Sequence, residues 1–444
     1  MENKNEAMEK ITSLAKRRGF IFPGSEIYGG LAGTYDYGPL GVRLKENIER
    51  LWLTMFRDDR SDMYGVDATI LMNSKLWEAS GHVSGFSDPL VECQKCHHRF
   101  RADQLEDEKK CPDCGGGFGE VKQFNMMFKT HAGSVEDDSS AVYLRPETAG
   151  GIFSNFKNVM DSMHPKIPFG IAQIGKAFRN EIAPRDFIFR LREFSQMEVE
   201  YFVKPSEWES AFEEWRLLMH RFAERIGISK NSLHELEVAD SDRAHYSNRT
   251  IDFEFDYPSG RGELWGLAYR GDFDLSAHQE ASGTTLTYLD EETKEKFIPH
   301  VIEPSLGVDR TLLAVLLSAY REDSLGDGRV YLAFPPSIAP IKAVVSPLLK
   351  NKPELVAKAR EVFQALKTVV PQIAWDDNGN IGKRYRRQDE VGTPWCITID
   401  FDTLGETKEL LDTVTLRSRD SGEQERLSIS DAIQKVYTSI NHGA

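Results

Sequence analysis

Two neighbouring stretches decide how this chain folds: "FRNEI" at 178–182 and "RLREFSQMEVE" at 190–200. Each sets polar or charged residues at alternate positions. Alternation is the period of a β-strand, whose successive side chains point to opposite faces. It predicts that Arg179 and Glu181 share one face of a strand, and that Arg192, Phe194, Gln196 and Glu198 share one face of the next. A solvated face does not need the phenylalanine, and a buried strand does not tolerate the charges. An arginine can clamp a phosphate through two N–H donors. A phenylalanine offers a flat apolar platform, and a carboxylate can accept from an exocyclic amine. For one such strand alone, a salt-bridged exposed sheet face is the competing reading. Two strands with matching chemistry, and Arg310 at the head of a later helix, point to a site for a ligand that is polar, anionic and flat.

Working outward, "FGIAQIGKAFRNEI" (169–182) and "REFSQMEVEYFV" (192–203) read as strands joined by the loop "APRDFIF" (183–189). Upstream, 40–57 reads as an amphipathic helix whose apolar row is Leu44, Ile48, Leu51 and Met55. That row can be buried against the chain's own core or against a partner. "MYGVDATILM" (63–72) reads as a strand, and 141–160 as a strand running into a helix. Downstream come a helix over 205–226 and an antiparallel strand pair over 250–275. At 300–320 a strand breaks at "PSLG" (304–307) and continues as a helix. Pro335, Pro336 and Pro340 in "AFPPSIAPIKAVV" (333–345) mark a linker. Beyond it, strands at 341–346, 372–376 and 395–401 alternate with helices at 353–369 and about 381–388. A hairpin (411–429) and a helix (430–440) follow, completing an α/β pattern.

The chain has 444 residues, enough for two or three domains. No apolar run approaches the ~20 residues of a membrane span, and the charged N-terminus is unlike a secretory signal. The expectation is a cytoplasmic protein without a membrane partner. A net charge of −15 excludes a histone-like coat but leaves room for local phosphate-binding patches. Cys93, Cys96, Cys111 and Cys114 form two CxxC knuckles separated by residues 97–110. That spacing fits one structural zinc ion held by four thiolates, with disulfides as the alternative. Neither a GxxxxGK[ST] loop nor a GxGxxG turn after a strand occurs. A bound nucleotide would have to be held by side chains on an antiparallel sheet.

These segments resemble a known family. "FRNE…REFSQME" is similar to motif 2 of the class II aminoacyl-tRNA synthetases, "GVDRTLLAVL" (307–316) to motif 3, and "YGPLGVRLKENIERLW" (37–52) to motif 1. "RPETAG" (145–150), "EPSLGVDR" (303–310), "GELWGLAYRGDFDL" (262–275) and "GKRYRRQDEVGTPWCITIDFDTL" (382–404) narrow the resemblance to homodimeric glycyl-tRNA synthetases. It implies an α+β catalytic domain built on an antiparallel sheet (the class II synthetase fold) over 1–334. It also implies a small zinc-ribbon-like insertion at 90–120 and a C-terminal α/β anticodon-binding domain over 335–444. It further implies ATP and Mg²⁺ as cofactors with structural Zn²⁺, glycine and tRNA(Gly) as partners, and a homodimer.

Carried over residue by residue, the resemblance gives Arg179 the α-phosphate, Glu181 the adenine amine and Phe194 the adenine ring. Arg190 and Arg192 fall on the triphosphate side, Arg310 on the γ-phosphate, and Glu263 on the nucleotide or Mg²⁺. Arg179, Arg310 and Glu263 thereby become the catalytic set. Asn180, Phe189, Leu191, Glu193, Leu264, Gly307, Val308 and Asp309 flank these contacts. Glycine is assigned to Arg101, Glu147, Glu198, Arg270, Glu303 and Ser305, with Gln196 nearby. Phe194, Ser195, Met197, Pro304, Leu306 and Gly307 lie in the same segments. One position departs: the family usually reads RPETAQ, whereas this chain ends the motif with Gly150. "GKRYRRQDE" (382–390) sets Lys383, Arg384, Arg386 and Arg387 close together, either as a phosphate-binding cluster or as a solvated helix face.

Overall fold

The computed structural model describes residues 2–105, 107–324 and 328–441; the expected unit limits at Met1 and Ala444 lie outside the described residues. Its centre is a seven-stranded sheet. The strands are β1 (Met63–Gly65), β2 (Phe169–Phe178), β3 (Glu193–Val203), β4 (Leu233–Glu237), β5 (Arg249–Tyr257), β6 (Gly260–Gly271) and β7 (His300–Gly307). Their spatial order is β4-β5-β6-β7-β3-β2-β1. All neighbours are antiparallel except β1 and β2, so the sheet is mixed at one edge.

Helices α1 (Glu2–Arg18), α2 (Pro39–Leu53), α3 (Ala149–Met163), α4 (Trp208–Arg225), α5 (Phe273–Ser282) and α6 (Val308–Ala319) accompany it. One face of β3, with Met197, Val199, Tyr201 and Val203, packs into a large core shared with α2, α4 and α6. Trp52, Phe56, Trp215 and Phe222 are fully buried there. Truncating a core aromatic of this kind typically costs about 3–5 kcal/mol. The other face is covered only at one end. There α3 and α5 bring Phe153, Phe156 and Leu275 onto Phe169 and Phe202. The remainder of that face stays open, and its polar residues line a cavity.

The structure decides one sequence expectation that stood open and corrects several others. Leu44 and Ile48 are buried in the chain's own core, with Leu51 and Met55 at its margin. The 63–72 segment forms two short strands, Met63–Gly65 and Leu71–Met72. β7 does not break at Pro304 but runs through it to Gly307. A proline cannot donate to a ladder. The β3–β7 pairing accordingly skips between Glu198↔Ser305 and Tyr201↔Ile302, leaving no rungs opposite Pro304 and Glu303. β6 ends at Gly271, and the expected strand end at 273–275 is the start of α5. The proline-rich linker is buried: Phe334, Ile338 and Ala339 are inaccessible, and Asn47 Nδ2 donates to the carbonyls of Ile338 and Ala339 at 3.1 Å each.

Beyond it, β8 (Ala343–Pro347), β9 (Ile373–Trp375), β10 (Trp395–Ile399), β11 (Thr413–Ser418) and β12 (Gln424–Ser428) form a second sheet in the order β9-β8-β10-β11-β12. Helices α7 (Pro353–Val369), α8 (Ile381–Val391) and α9 (Ile429–Asn441) complete a unit with its own apolar core. The basic cluster on α8 is mostly engaged within the fold. Arg384 is buried and donates to the carbonyls of Pro347, Asp377 and Gly379. Arg387 pairs with Asp376 at 2.6 Å, and Arg386 donates to the Gly328 carbonyl. Lys383 is exposed. The two units are joined by buried charge: Arg329 reaches Asp389 at 3.2 Å, and Arg419 Nη2 donates to the Phe334 carbonyl at 2.9 Å.

Candidate active site

The cavity on the open sheet face holds about 330 Å³ and is polar at both ends. At one end carboxylates gather. Glu198 rises from β3; its Oε1 accepts from Ser305 Oγ at 2.7 Å, and its other oxygen accepts from the Thr148 hydroxyl at the head of α3. Glu147 lies 3.3 Å from His82 Nε2, and His82 Nδ1 is hydrogen-bonded to Ser80 Oγ at 2.8 Å. Burial pushes the Glu147 carboxyl up, but the His82 imidazole, with Arg270 and Arg179 beyond it, outweighs burial and brings it to about 2. Glu198 moves the other way, raised by burial and by the Glu147 charge.

Glu303, on β7, is bonded to Arg270 Nη1. Arg270 also grips Asp274 with two N–H bonds of 2.7 Å each and lies over the Tyr246 ring, 3.7 Å from its centroid. Burial, opposed by Arg270 and reinforced by Glu198 and Glu147, pushes the Glu303 carboxyl up to about 8. Arg270 is the extra residue of a β-bulge, where the register to β7 shifts between Tyr269 and Gly271. A second bulge, between Phe253 and Glu254, lets Leu264 and Trp265 both turn to the core. By strict alternation Glu263 would face the core with Trp265; the bulge turns it to the open side, as bulges beside active sites do.

Arginines occupy the other end. Arg179 lies between the Phe86 and Phe194 rings, 5.3 Å from each centroid, and its Nε donates to the Pro146 carbonyl. Arg310 contacts Glu263 Oε2 at 3.1 Å and stacks 4.6 Å over Phe189. Its charge holds the Glu263 carboxyl below the usual range. Arg190 lies 3.9 Å from Glu181. Glu181 Oε2 and Gln196 Oε1 are buried without a hydrogen-bond partner among the described residues. Two unfilled acceptors beside a half-buried aromatic fit the donors and flat ring of a purine nucleotide.

The structure brings Glu147, Arg179, Glu181, Phe189, Arg190, Leu191, Phe194, Gln196, Glu198, Glu263, Leu264, Glu303, Ser305, Gly307, Asp309 and Arg310 onto one cavity wall. The rest lie off it. Met197, Leu306 and Val308 face the core, and Ser195 offers only its N–H, to Asp309 at 2.7 Å. Pro304 is buried within the sheet, and Glu193 pairs with Lys176 at 3.1 Å. The Asn180 N–H donates to the Met126 carbonyl. Arg270 stands one layer behind Glu303. Arg179 and Glu181 share no strand face, since β2 ends at Phe178 and both follow it. Arg192 precedes β3 and donates to the carbonyls of Ala32 and Glu181. Arg101 pairs with Asp88 and Asp103, each at 2.7 Å, outside the cavity.

Sequence reasoning missed His82, Thr148, Tyr246, Asp252 and Asp274. Only Thr148 and Asp274 lay inside quoted motifs, so only they carried a signal. Asp252 lines the cavity, its carboxyl pushed up to about 7 by burial with Glu263 and Glu254, against Arg310. Gly150 has no space for a side chain: a Cβ there would meet Leu76 and Trp77 at 2.9 Å each. The buried Trp77 therefore occupies the room that the usual glutamine would need.

The four cysteines meet beside a three-stranded sheet of Ser87–Glu92, Arg99–Arg101 and Lys122–Asn125. Their sulfurs all lie within 4.8 Å of one another, with Cys93–Cys114 at 3.5 Å and Cys96–Cys111 at 3.7 Å. Zinc–sulfur bonds of ~2.3 Å in a tetrahedron put sulfurs ~3.8 Å apart, so the quartet fits one such ion. Gly116 permits the approach, since a Cβ there would come within 3.1 Å of Cys93 Sγ. From this insertion Gln104 Oε1 accepts from Arg185 at 3.1 Å and Arg190 at 3.4 Å.

Comparison with known proteins gives concordant matches. A family described as "tRNA synthetase class II core domain (G, H, P, S and T)" matches residues 128–319, and one described as "Anticodon binding domain" matches 342–438. The chain is 49% identical to the glycine–tRNA ligase of Alkaliphilus oremlandii, covering 96% of this chain and 97% of that one. It is 50% identical to that of Clostridium acetobutylicum, with the same coverage. The Clostridium tetani relative is 48% identical over 98% of this chain and 99% of its own.

Proposed function

The chain belongs to the glycine–tRNA ligase family of class II synthetases, and we propose that the cavity over β3, β6 and β7 is where it activates glycine. It is an ATP-dependent ligase that attaches glycine to tRNA. The glycine carboxylate attacks the α-phosphorus of ATP, pyrophosphate leaves, and a tRNA ribose hydroxyl takes the glycyl group from the adenylate. No protein nucleophile is needed; catalysis is positioning and charge stabilisation.

The observation that carries this reading is the polarity of one cavity, with acids at one end and arginines at the other. Glu147, Glu198 and Glu303 receive the α-ammonium and crowd the space a side chain would fill. Arg179 faces the reacting phosphate. Glu181 accepts the adenine amine, and Phe194 offers its ring. Arg190 and Arg310 serve the outer phosphates, and Glu263 lies where Mg²⁺ would accompany them. The magnesium would supply charge neutralisation on the leaving phosphates. The test is pyrophosphate exchange into ATP: glycine supports it, and an Arg179→Ala chain loses it.

Residues 1–334 form the catalytic unit, 90–120 a zinc ribbon holding one structural Zn²⁺ on Cys93, Cys96, Cys111 and Cys114, and 335–444 the unit that binds the anticodon of tRNA(Gly). The protein acts in the cytoplasm, where its tRNA and ATP are; among the described residues no helix is long and apolar enough to cross a membrane. It works as a homodimer. Exposed Ile27, Tyr28, Leu31 and Val42, before and at the start of α2, are the apolar surface a second copy would cover.

A further inference from the structure

One further acid, Glu200, stands beside the carboxylates of the cavity. It lies on β3 two residues after Glu198, on the cavity face, and is fully buried. Neither of its carboxyl oxygens has a hydrogen-bond partner among the described residues. Carried through the gap between Glu198↔Ser305 and Tyr201↔Ile302, the β3–β7 register sets Glu200 across from Glu303, a position where the ladder itself has no rung. Directly opposed residues have Cβ atoms about 4.5–5.5 Å apart. Two carboxylates at that separation in a dry interior cannot both be charged without a large penalty.

The groups around Glu200 determine which of the two keeps the proton. From β7 it faces Glu303, from β6 Arg270, from its own strand Glu198, and from α5 Asp274. α5 also carries His278, whose Nε2 is likewise unpartnered. β2 brings Ile171 opposite it, and α3 brings Phe153 and Phe156 to that end of the sheet. Arg270 is already bonded to Glu303 and Asp274, so it favours charge on those two. Burial and the Glu303 charge push the Glu200 carboxyl well above the usual range.

We propose that Glu200 is a positioning residue for glycine: it keeps its proton and, once the substrate ammonium draws Glu303 into its charged form, turns that proton to the Glu303 carboxylate as a hydrogen bond. A donor aimed at the charged form favours that form, which offsets the burial that otherwise neutralises Glu303. The inference rests on the glycine-activating reading of the cavity.

The test is the KM for glycine and for ATP in pyrophosphate exchange, with thermal melting alongside, for wild type, Glu200→Leu and Glu200→Gln. Leucine removes the donor at similar volume. It is expected to raise the glycine KM roughly 10- to 100-fold, the size of losing a hydrogen bond to a charged group, and to leave the ATP KM in place. Glutamine restores a neutral donor and is expected to recover most of the loss. An unchanged glycine KM in Glu200→Leu overturns the proposal, because the acid would then only fill space. A glutamine variant as weak as the leucine one also overturns it, because charge rather than a donor would be required. If the leucine variant does not fold, Glu200→Asp, which withdraws the acid by one methylene, takes its place and is expected to show the same glycine-specific loss. Wild-type protein without glycine-dependent exchange would overturn the ligase reading itself, a failure distinguishable from these.

Discussion

Asp309 Oδ2 accepts the Ser195 N–H at 2.7 Å, and its other oxygen takes the Tyr37 hydroxyl. One buried carboxylate therefore ties α6, which presents Arg310, to β3, which presents Phe194, Gln196 and Glu198. It also ties both to the segment leading into α2. Asp309→Ala strands the buried Ser195 N–H, at about 1–3 kcal/mol, and frees the half-buried Tyr37 hydroxyl. We expect a lower melting temperature and a larger fall in pyrophosphate exchange than stability alone explains, measured well below the melt. Unchanged exchange in a folded variant would show that the tie does not position the site.

Gly150→Gln, which restores the family's usual residue, is expected to destabilise this chain. Trp77 and Leu76 already stand 2.9 Å from where a Cβ would lie, and overpacking of a filled interior costs about 1–3 kcal/mol. Chemical denaturation checks it. Pairing the change with Trp77→Leu should recover part of the loss.

Stability without substrate should fall as pH rises from the ordinary carboxylate range to about 8, because Glu303 is raised to about 8 when folded. A group whose folded value lies above its unfolded value stabilises most below the unfolded value and loses that contribution as pH rises through the folded one. Glu198 and Glu200 are shifted in the same direction. Glu147 is shifted oppositely, to about 2, so its contribution is lost only as pH falls towards that value. Unfolding curves of wild type and Glu303→Gln, whose amide stands in for the protonated acid, should lie closest at the acid end and separate between pH 5 and 9 as wild type alone loses stability. Parallel curves would contradict the assignment.

Much of the cavity lining could be read from the chain because its residues sit at short, fixed spacings: Phe194 with Gln196 and Glu198, Glu303 with Ser305. Arg179 and Glu181 also line it, but from the turn after β2 and not from one strand face. The misreadings have identifiable causes. Pro304 suggested a broken strand because a central strand rarely contains proline; here the ladder drops its rungs beside it. The bulge that turns Glu263 to the open side left no trace in the alternation. Arg384 and Arg387 looked like a basic surface, since an arginine buried on carbonyls has the same letter as one in solvent. His82 and Tyr246 come from segments with no periodic pattern, and only tertiary packing brings them to Glu147 and Arg270.

If the four cysteines hold the proposed zinc, removing it should weaken ATP use at least as much as glycine use. From the sequence, Arg101 was expected to couple the insertion to glycine, but it pairs with Asp88 and Asp103 instead. Gln104 couples the insertion to Arg185 and Arg190 at the nucleotide end. Elemental analysis should find about one zinc per chain. Cys93→Ser should lose it and show a raised ATP KM while the rest of the chain melts as a folded protein. A metal-free variant with unchanged ATP and glycine KM would remove the coupling.

The central claim is that the acid-lined end of the cavity accepts glycine and little else. A hydrophobic pocket distinguishes one methylene by only about 1–3 kcal/mol, whereas overlap with the fixed carboxylates of Glu147, Glu198 and Glu303 costs more. The most direct measurement is pyrophosphate exchange into ATP with each of the twenty amino acids in turn. The account predicts exchange with glycine and near-background rates with alanine and serine; robust exchange with any other amino acid, or none with glycine, would contradict it.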